Sequence, residues 1–433
     1  MDPPVKSFNP NKHLKEEFVS NLSGTSMLEL FLLITTLSMI LFLRSVYSST
    51  KKGPNSAEAL LKKDDNITSS KKKDDNINVV VCNKNMGSYL AGVTLDVLWI
   101  VFPAILCLTI LADWTYINAV VMTLLVAFFV VARRSGFSVS QEEGVRSLRT
   151  NISAYRVSMN LLTCVCILAV DFKIFPRRYA KTETYDGHWS RFVYCGKCIG
   201  FTAGTWNCKN EFEKCNFFNL STYSSGLCSN LFHINCGLSG YEVFLLLGLN
   251  EYLLSSERGP DIISQNKEGI FSIFGYWGLY LVCVQLGSYL FFGKPGDAVL
   301  RTNDWARIRV WILCLLLWLL TVFLDMHVER VSRRMCNLAY VTVVLAMNLQ
   351  VFAVLTLADY VPGYKVSALI EVFDRNLLGS FLLANVLTGL VNLSIDTLFV
   401  SPFTALAILV GYAYILSIAA AVAHVCGIRL KFW

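Results

Sequence analysis

The densest chemistry in the chain lies in Asp171-Phe172-Lys173-Ile174-Phe175-Pro176-Arg177-Arg178-Tyr179-Ala180-Lys181-Thr182-Glu183-Thr184-Tyr185, directly after an apolar run. Pro176 stops any helix that tries to continue, so the charged groups on its two sides can fold back toward one another. A carboxylate shielded from water has a raised pKa and can take a proton from a hydroxyl. An ammonium beside it steadies that carboxylate or a developing oxyanion. Asp171 and Lys181 supply this pair, and Arg177 and Arg178 carry guanidinium forks suited to phosphate. These are the groups that acyl transfer to an alcohol requires. Residue by residue, the stretch also reads as an ordinary charged helix end, with Asp171 paired to Lys173 or Arg177 for topology alone.

The elements that must position these groups are membrane spans. Of 433 residues 54% are hydrophobic and 16% charged, and the mean hydropathy is +0.50, too apolar for a soluble chain of this size. The clearest apolar runs are Ser26 to Leu43, Leu95 to Leu111, Ala119 to Ala132, Ala154 to Val170, Phe271 to Phe292, Ile308 to Leu324, Asn337 to Leu357, Leu377 to Thr397 and Ala405 to Val425. Several match the roughly 20 residues a helix needs to cross a bilayer. Tyr241 to Leu254 is a shorter candidate for a tenth. Lipid offers no partner for open backbone groups, so the expected fold is all-α, a polytopic transmembrane helix bundle forming one domain over 1–433. Residues 50–88 form a polar loop with an internal echo, Lys62 to Ile67 against Lys72 to Ile77, and read as linker.

Basic residues orient the bundle. Lys51, Lys52, Lys62, Lys63, Lys71, Lys72, Lys73 and Lys84 follow the first run, and Arg133, Arg134, Arg146 and Arg149 follow the third. Both loops are expected in the cytosol. The turn Asp113 to Asn118 has no basic residue and is assigned to the opposite side with the N-terminus; by parity, Asp171 joins them. The net charge of +7 sits in loops that flank spans, so anionic lipid explains it better than nucleic acid.

The charged stretch resembles the signature of the PIG-W family, inositol acyltransferases of glycosylphosphatidylinositol anchor biosynthesis: an aspartate closing a helix, then Phe-Pro-Arg-Arg and Ala-Lys-Thr-Glu-Thr. Further agreement lies in Lys15 to Thr25, Leu111-Ala112-Asp113-Trp114, Tyr252-Leu253-Leu254 with Glu257-Arg258-Gly259, Asp261 to Gly278, and Ala384-Asn385 through Asn392 to Thr397. The likeness spans most of 12–49, 89–185 and 241–433. It implies transfer of palmitoyl from palmitoyl-CoA (acyl-CoA as co-substrate, with no other cofactor and no metal) to the inositol of glucosaminyl-phosphatidylinositol. It also implies an endoplasmic reticulum membrane, a site facing the lumen, and Asp171 and Lys181 as catalytic residues.

Other polar residues in or beside the runs have two readings. Asp96, Arg156, Asn385 and Asp396 either line a substrate path or fix helix packing. Lys267, with Glu268, reads as a headgroup or coenzyme contact or as a plain solvated turn. Arg177, Arg178, Lys267 and Asn385 are taken as the substrate-binding set. His424 reads as a packing histidine.

Residues 186–240 break the pattern. Cys195, Cys198, Cys208, Cys215, Cys228 and Cys236 crowd there with His188 and His233. No second close pair follows Cys195-x-x-Cys198 at zinc-ribbon spacing, and lumenal disulfides are the other chemical reading. Back-translated and read one base downstream, 196–210 gives a helix-like string similar to the family's own continuation, so the favoured reading is a shifted frame in the gene. From another functional class, a multi-span transporter of lipid or solute also fits many helices with scattered charge. A carrier would place its chemistry near the midplane, however, and would show an inverted repeat.

Overall fold

The computed structural model describes residues 25–50, 87, 90–132, 141–176, 240–255, 259–291, 303–360 and 367–428. Arg177, Arg178, Lys181, most of the 50–88 loop and residues 186–239 lie outside these. Among the described residues there is no β-strand, and nine helices are long and apolar enough to cross a membrane. In chain order they are α1 (Met27–Thr50), α2 (Leu90–Leu108), α3 (Thr115–Ala132), α4 (Gln141–Ala169), α5 (Lys267–Phe291), α6 (Asn303–His327), α7 (Leu338–Thr356), α8 (Leu377–Ser394) and α9 (Pro402–Val425). Each corresponds to one of the nine apolar runs. The chain is a polytopic helical membrane protein.

The shorter run behaves differently. Residues 240–254 form a helix interrupted by a π turn, Leu245–Leu249, with Gly248 at φ +114°. At 1.5 Å per residue it reaches about 22 Å, short of a ~30 Å hydrocarbon core. α2 also carries a π turn, Val97–Val101. Pro103 directly follows in the next turn: it donates no N–H and its ring presses on the carbonyl four residues back, and a local widening of the helix relieves both.

α7 is the hub, with nearly every side chain buried. Trp318 of α6 donates to Gln350 Oε1 at 3.1 Å, and Gln350 Nε2 donates to Phe31 O at 3.0 Å and Thr35 Oγ1 at 2.7 Å on α1. Bonds between helices in lipid contribute only about 0.6 kcal/mol each, so these set register while packing holds the helices together. Asn337 caps α7, its Oδ1 accepting from Tyr340 N. Large side chains such as Leu124, Phe128, Leu315, Leu319 and Phe323 stay exposed on α3 and α6, as a face toward acyl chains requires.

Candidate functional site

α4 stops at Ala169, seven residues before Pro176. The chain tightens there: Asp171 N donates to Leu168 O at 3.1 Å and Phe172 N to Ala169 O at 3.2 Å, i to i−3 bonds of the kind that close a helix. Phe172 and Phe175 are fully buried and pin the turn onto the bundle. Between them and the helix end, Asp171 is left half-exposed. The turn is therefore fixed by two aromatic anchors before the proline acts.

α8 delivers the partner. Asn392 Nδ2, in its last turn, donates to Asp171 Oδ2 at 2.8 Å. The two helices run side by side in the same direction, and polar contacts mark the seam between them. Asn160 Nδ2 donates to Leu377 O at 3.4 Å. Tyr412 of α9 reaches into the seam, its one hydroxyl proton shared between Cys164 O at 3.0 Å and Ala384 O at 3.2 Å, while its oxygen accepts from Thr388 Oγ1 at 3.4 Å. Asn160 and Cys164, at i and i+4, share one face of α4, Asp171 follows in the turn beyond its end, and Asn385, Thr388 and Asn392 fall at i, i+3 and i+7 on α8. At the open end, Lys173 Nζ lies 5.3 Å from the centre of the Phe399 ring on the connection to α9, which also carries exposed Asp396.

The other residues singled out in the sequence divide between this seam and separate contacts. Asn385 lies on the α8 face about 10 Å along the helix from Asn392, half-buried, with Nδ2 donating to Phe381 O at 2.7 Å in its own helix. Lys267 is fully buried, away from the seam. Its Nζ donates to Tyr252 O at 2.6 Å, Ser255 O at 2.9 Å and Ser255 Oγ at 2.7 Å, and sits over the Tyr252 ring. Three donors meeting three acceptors tie the 240–255 segment to the start of α5. A ligand at Lys267 would have to exchange those bonds. Glu268 pairs with Arg334 at 2.6 Å.

Asp96 is fully buried. Arg44 Nε donates to its Oδ1 at 2.7 Å and Arg44 Nη2 contacts the same oxygen, while Leu369 N donates to Oδ2 at 3.0 Å. Three elements thus meet on one carboxylate: the end of α1, the start of the α2 π turn, and the short helix Ala368–Asp374. Arg156 of α4 faces Asp374 of that short helix at 3.6 Å. His424 is buried in the last turn of α9. An apolar cleft bounded by Ile34, Leu37, Ile100, Leu108, Leu161 and Val165 lies between α1, α2 and α4.

Asn392 and Tyr412 were not singled out by sequence reasoning. The polar spacing Asn385, Thr388, Asn392 on an otherwise apolar run was the available signal for the first. Nothing in the sequence marks Tyr412 apart from other tyrosines.

A helical membrane bundle that holds an aspartate half-open at a span end, on an amide from a parallel helix, is the class defined by this geometry. The profile of the GWT1 family matches residues 11–187 and 219–423. An uncharacterized protein of Arabidopsis thaliana is 42% identical over 413 residues, covering 85% of this chain and 93% of the relative. The phosphatidylinositol-glycan biosynthesis class W protein of Dictyostelium discoideum is 25% identical over 437 residues, covering 78% and 88%. GPI-anchored wall transfer protein 1 of Schizosaccharomyces pombe is 30% identical over 342 residues, covering 61% and 70%. The chain belongs to the GWT1 family, and this places it in GPI-anchor biosynthesis as a membrane-bound enzyme.

Proposed function

We propose that the chain transfers a fatty acyl group, palmitoyl in the typical case, from acyl-CoA to a ring hydroxyl of the inositol in glucosaminyl-phosphatidylinositol. The observation that carries this reading is Asp171, half-exposed at a span end and held there by Asn392. In the proposed step the hydroxyl oxygen attacks the thioester carbonyl while its proton passes to Asp171. The carbon–sulfur bond then breaks, coenzyme A leaves as thiolate, and the proton follows to sulfur. Lys181 steadies the oxyanion or the carboxylate, and Arg177 and Arg178 hold the substrate phosphate. Asn385, on the same seam, is assigned to the substrate path, and Lys267, also read as a substrate contact, would have to exchange its bonds to Tyr252 and Ser255 to serve as one.

Membership of a GPI-anchor family supports the lipid acceptor. The reading places the protein in the endoplasmic reticulum membrane with the site toward the lumen, in keeping with the basic loops.

The test follows labelled palmitoyl-CoA into glucosaminyl-phosphatidylinositol in microsomes from cells lacking inositol acylation. With the reading frame corrected between Tyr185 and Tyr241, Asp171→Asn is expected to insert normally and to lose turnover by a factor on the order of 10² or more. Near-normal turnover would overturn the general-base assignment. Orientation is checked with a glycosylation reporter in the Asp113 to Asn118 turn, expected to be modified, and another near Gly136, expected to stay bare.

A further inference from the structure

A carboxylate that works as a general base must present one oxygen to the incoming hydroxyl in a fixed direction. An error of about 1 Å in such a placement can cost on the order of 10²-fold in rate. Asp171 sits in a turn, and turns position side chains less rigidly than helices do. The seam between α4 and α8 makes up that difference.

Asn392 belongs to the helix, and the rotation of α8 against α4 is set below it by Tyr412, whose hydroxyl engages Cys164 O on one side and Ala384 O and Thr388 on the other. Thr388 lies one turn below Asn392. The amide therefore arrives at Asp171 Oδ2, 2.8 Å away, from a braced platform. We propose that Asn392 is a positioning residue for Asp171: by holding Oδ2 it fixes the plane of the carboxylate and so the direction of Oδ1, the oxygen that takes the substrate proton. This rests on the reading of Asp171 as the base.

The residue type carries part of the argument. A neutral amide orients a carboxylate while lowering its basicity little, whereas a cation at 392 would hold the charged form and weaken the base. A carboxylate at 392 would have the opposite effect, because two carboxylates at hydrogen-bond distance cannot both stay ionised and one proton is held more tightly. The other charged groups on the elements that meet here, among the described residues, are Lys173 on the same turn and Asp396 after α8.

The experiment measures kcat and KM for palmitoyl transfer to glucosaminyl-phosphatidylinositol across a pH series, with the full chain, its frame corrected between Tyr185 and Tyr241, and its Asn392→Ala, Asn392→Asp and Asp171→Asn forms in microsomes. Asn392→Ala is expected to lower kcat by about 10- to 100-fold with KM nearly unchanged. Asn392→Asp, nearly isosteric, is expected to move the acid limb of the rate profile to higher pH. Wild-type kcat in Asn392→Ala, together with an inactive Asp171→Asn, overturns the positioning role and leaves the base in place. If Asn392→Ala fails to insert, Asn392→Asp decides: an unmoved acid limb overturns the proposal. An active Asp171→Asn sinks both assignments together.

Discussion

Replacing Asp96 by alanine is expected to destabilise the bundle by at least about 3 kcal/mol, the low end of the range for breaking a buried ion pair. The carboxylate is fully buried and the Arg44 side chain is 13% exposed, so the guanidinium left behind faces mostly apolar surroundings. Leu369 N–H loses its acceptor as well, which adds about 1–3 kcal/mol for a buried unpaired donor. Partial escape of the long arginine toward water offsets some of this. Thermal unfolding in detergent, read by fluorescence-detected size exclusion at fixed protein concentration, should show a drop in midpoint on the order of 5–10 °C. Asp96→Asn keeps an acceptor for Leu369 and should lie between the parent and the alanine form. Removing both charges, with Arg44→Met and Asp96→Leu together, should recover most of the loss, since no charge is then stranded. A midpoint for Asp96→Ala within about 1 °C of the parent would refute the brace and return Asp96 to the substrate path. Failure of the double replacement to improve on Asp96→Ala would show that the stranded charge is not the cause.

Gly275→Ala places a methyl 2.8 Å from Cys336 Cβ and closer still to the Cys336 carbonyl, so it is expected to destabilise the bundle as overpacking does, by about 1–3 kcal/mol, and to lower the midpoint, whereas Gly269→Ala, with open space around it, serves as the tolerated control. Glu242, outside the spans, accepts from Leu338 N at 2.8 Å; burial pushes its carboxyl above the usual glutamate range and Glu329 adds to this, while the Leu338 bond pulls the other way. Its proton is thus bound more tightly in the folded state, so the stabilisation is present below the ordinary glutamate value and lost as pH rises through the folded one; Glu242→Gln should flatten the melting temperature against pH over that window. Lys267→Met is expected to loosen the 240–255 segment, read as faster hydrogen exchange there. Sequencing of the transcript from Tyr185 to Tyr241 is expected to show a different frame from the one written; message from independent tissues that encodes the segment unchanged would refute this.

Nine spans were legible because hydropathy is a local property: about twenty apolar residues in a row have few other uses. Their ends were less so. α5 begins at Lys267, four residues before the apolar run, because its ammonium is satisfied by Tyr252 and Ser255, partners from a segment that hydropathy does not connect to it. α4 reaches back to Gln141 because a helix can continue past its apolar part. Asp171 was legible from its charged neighbourhood, yet Asn392 is 221 residues away in sequence and only the fold brings them together. The partners of Asp96 were hidden for the same reason, since Arg44 belongs to the first helix and the Leu369 N–H to a short helix near the end of the chain.

Under the proposal that Asp171 is the base, Asp96 and Asp171 differ in how each carboxylate is held. Asp96 has the deeper position, yet its Oδ1 is taken by a guanidinium and its Oδ2 by a backbone donor. It is the charge on which α1 and the Ala368–Asp374 helix are fastened, a tie between three elements. Asp171 is half-exposed, and Asn392 is a neutral donor that can keep its bond to Oδ2 whether or not Oδ1 carries a proton. A base must gain and lose a proton in every cycle while its surroundings stay still. As the proposed base, Asp171 is held at Oδ2 by a helix whose own orientation is fixed farther down, at Tyr412.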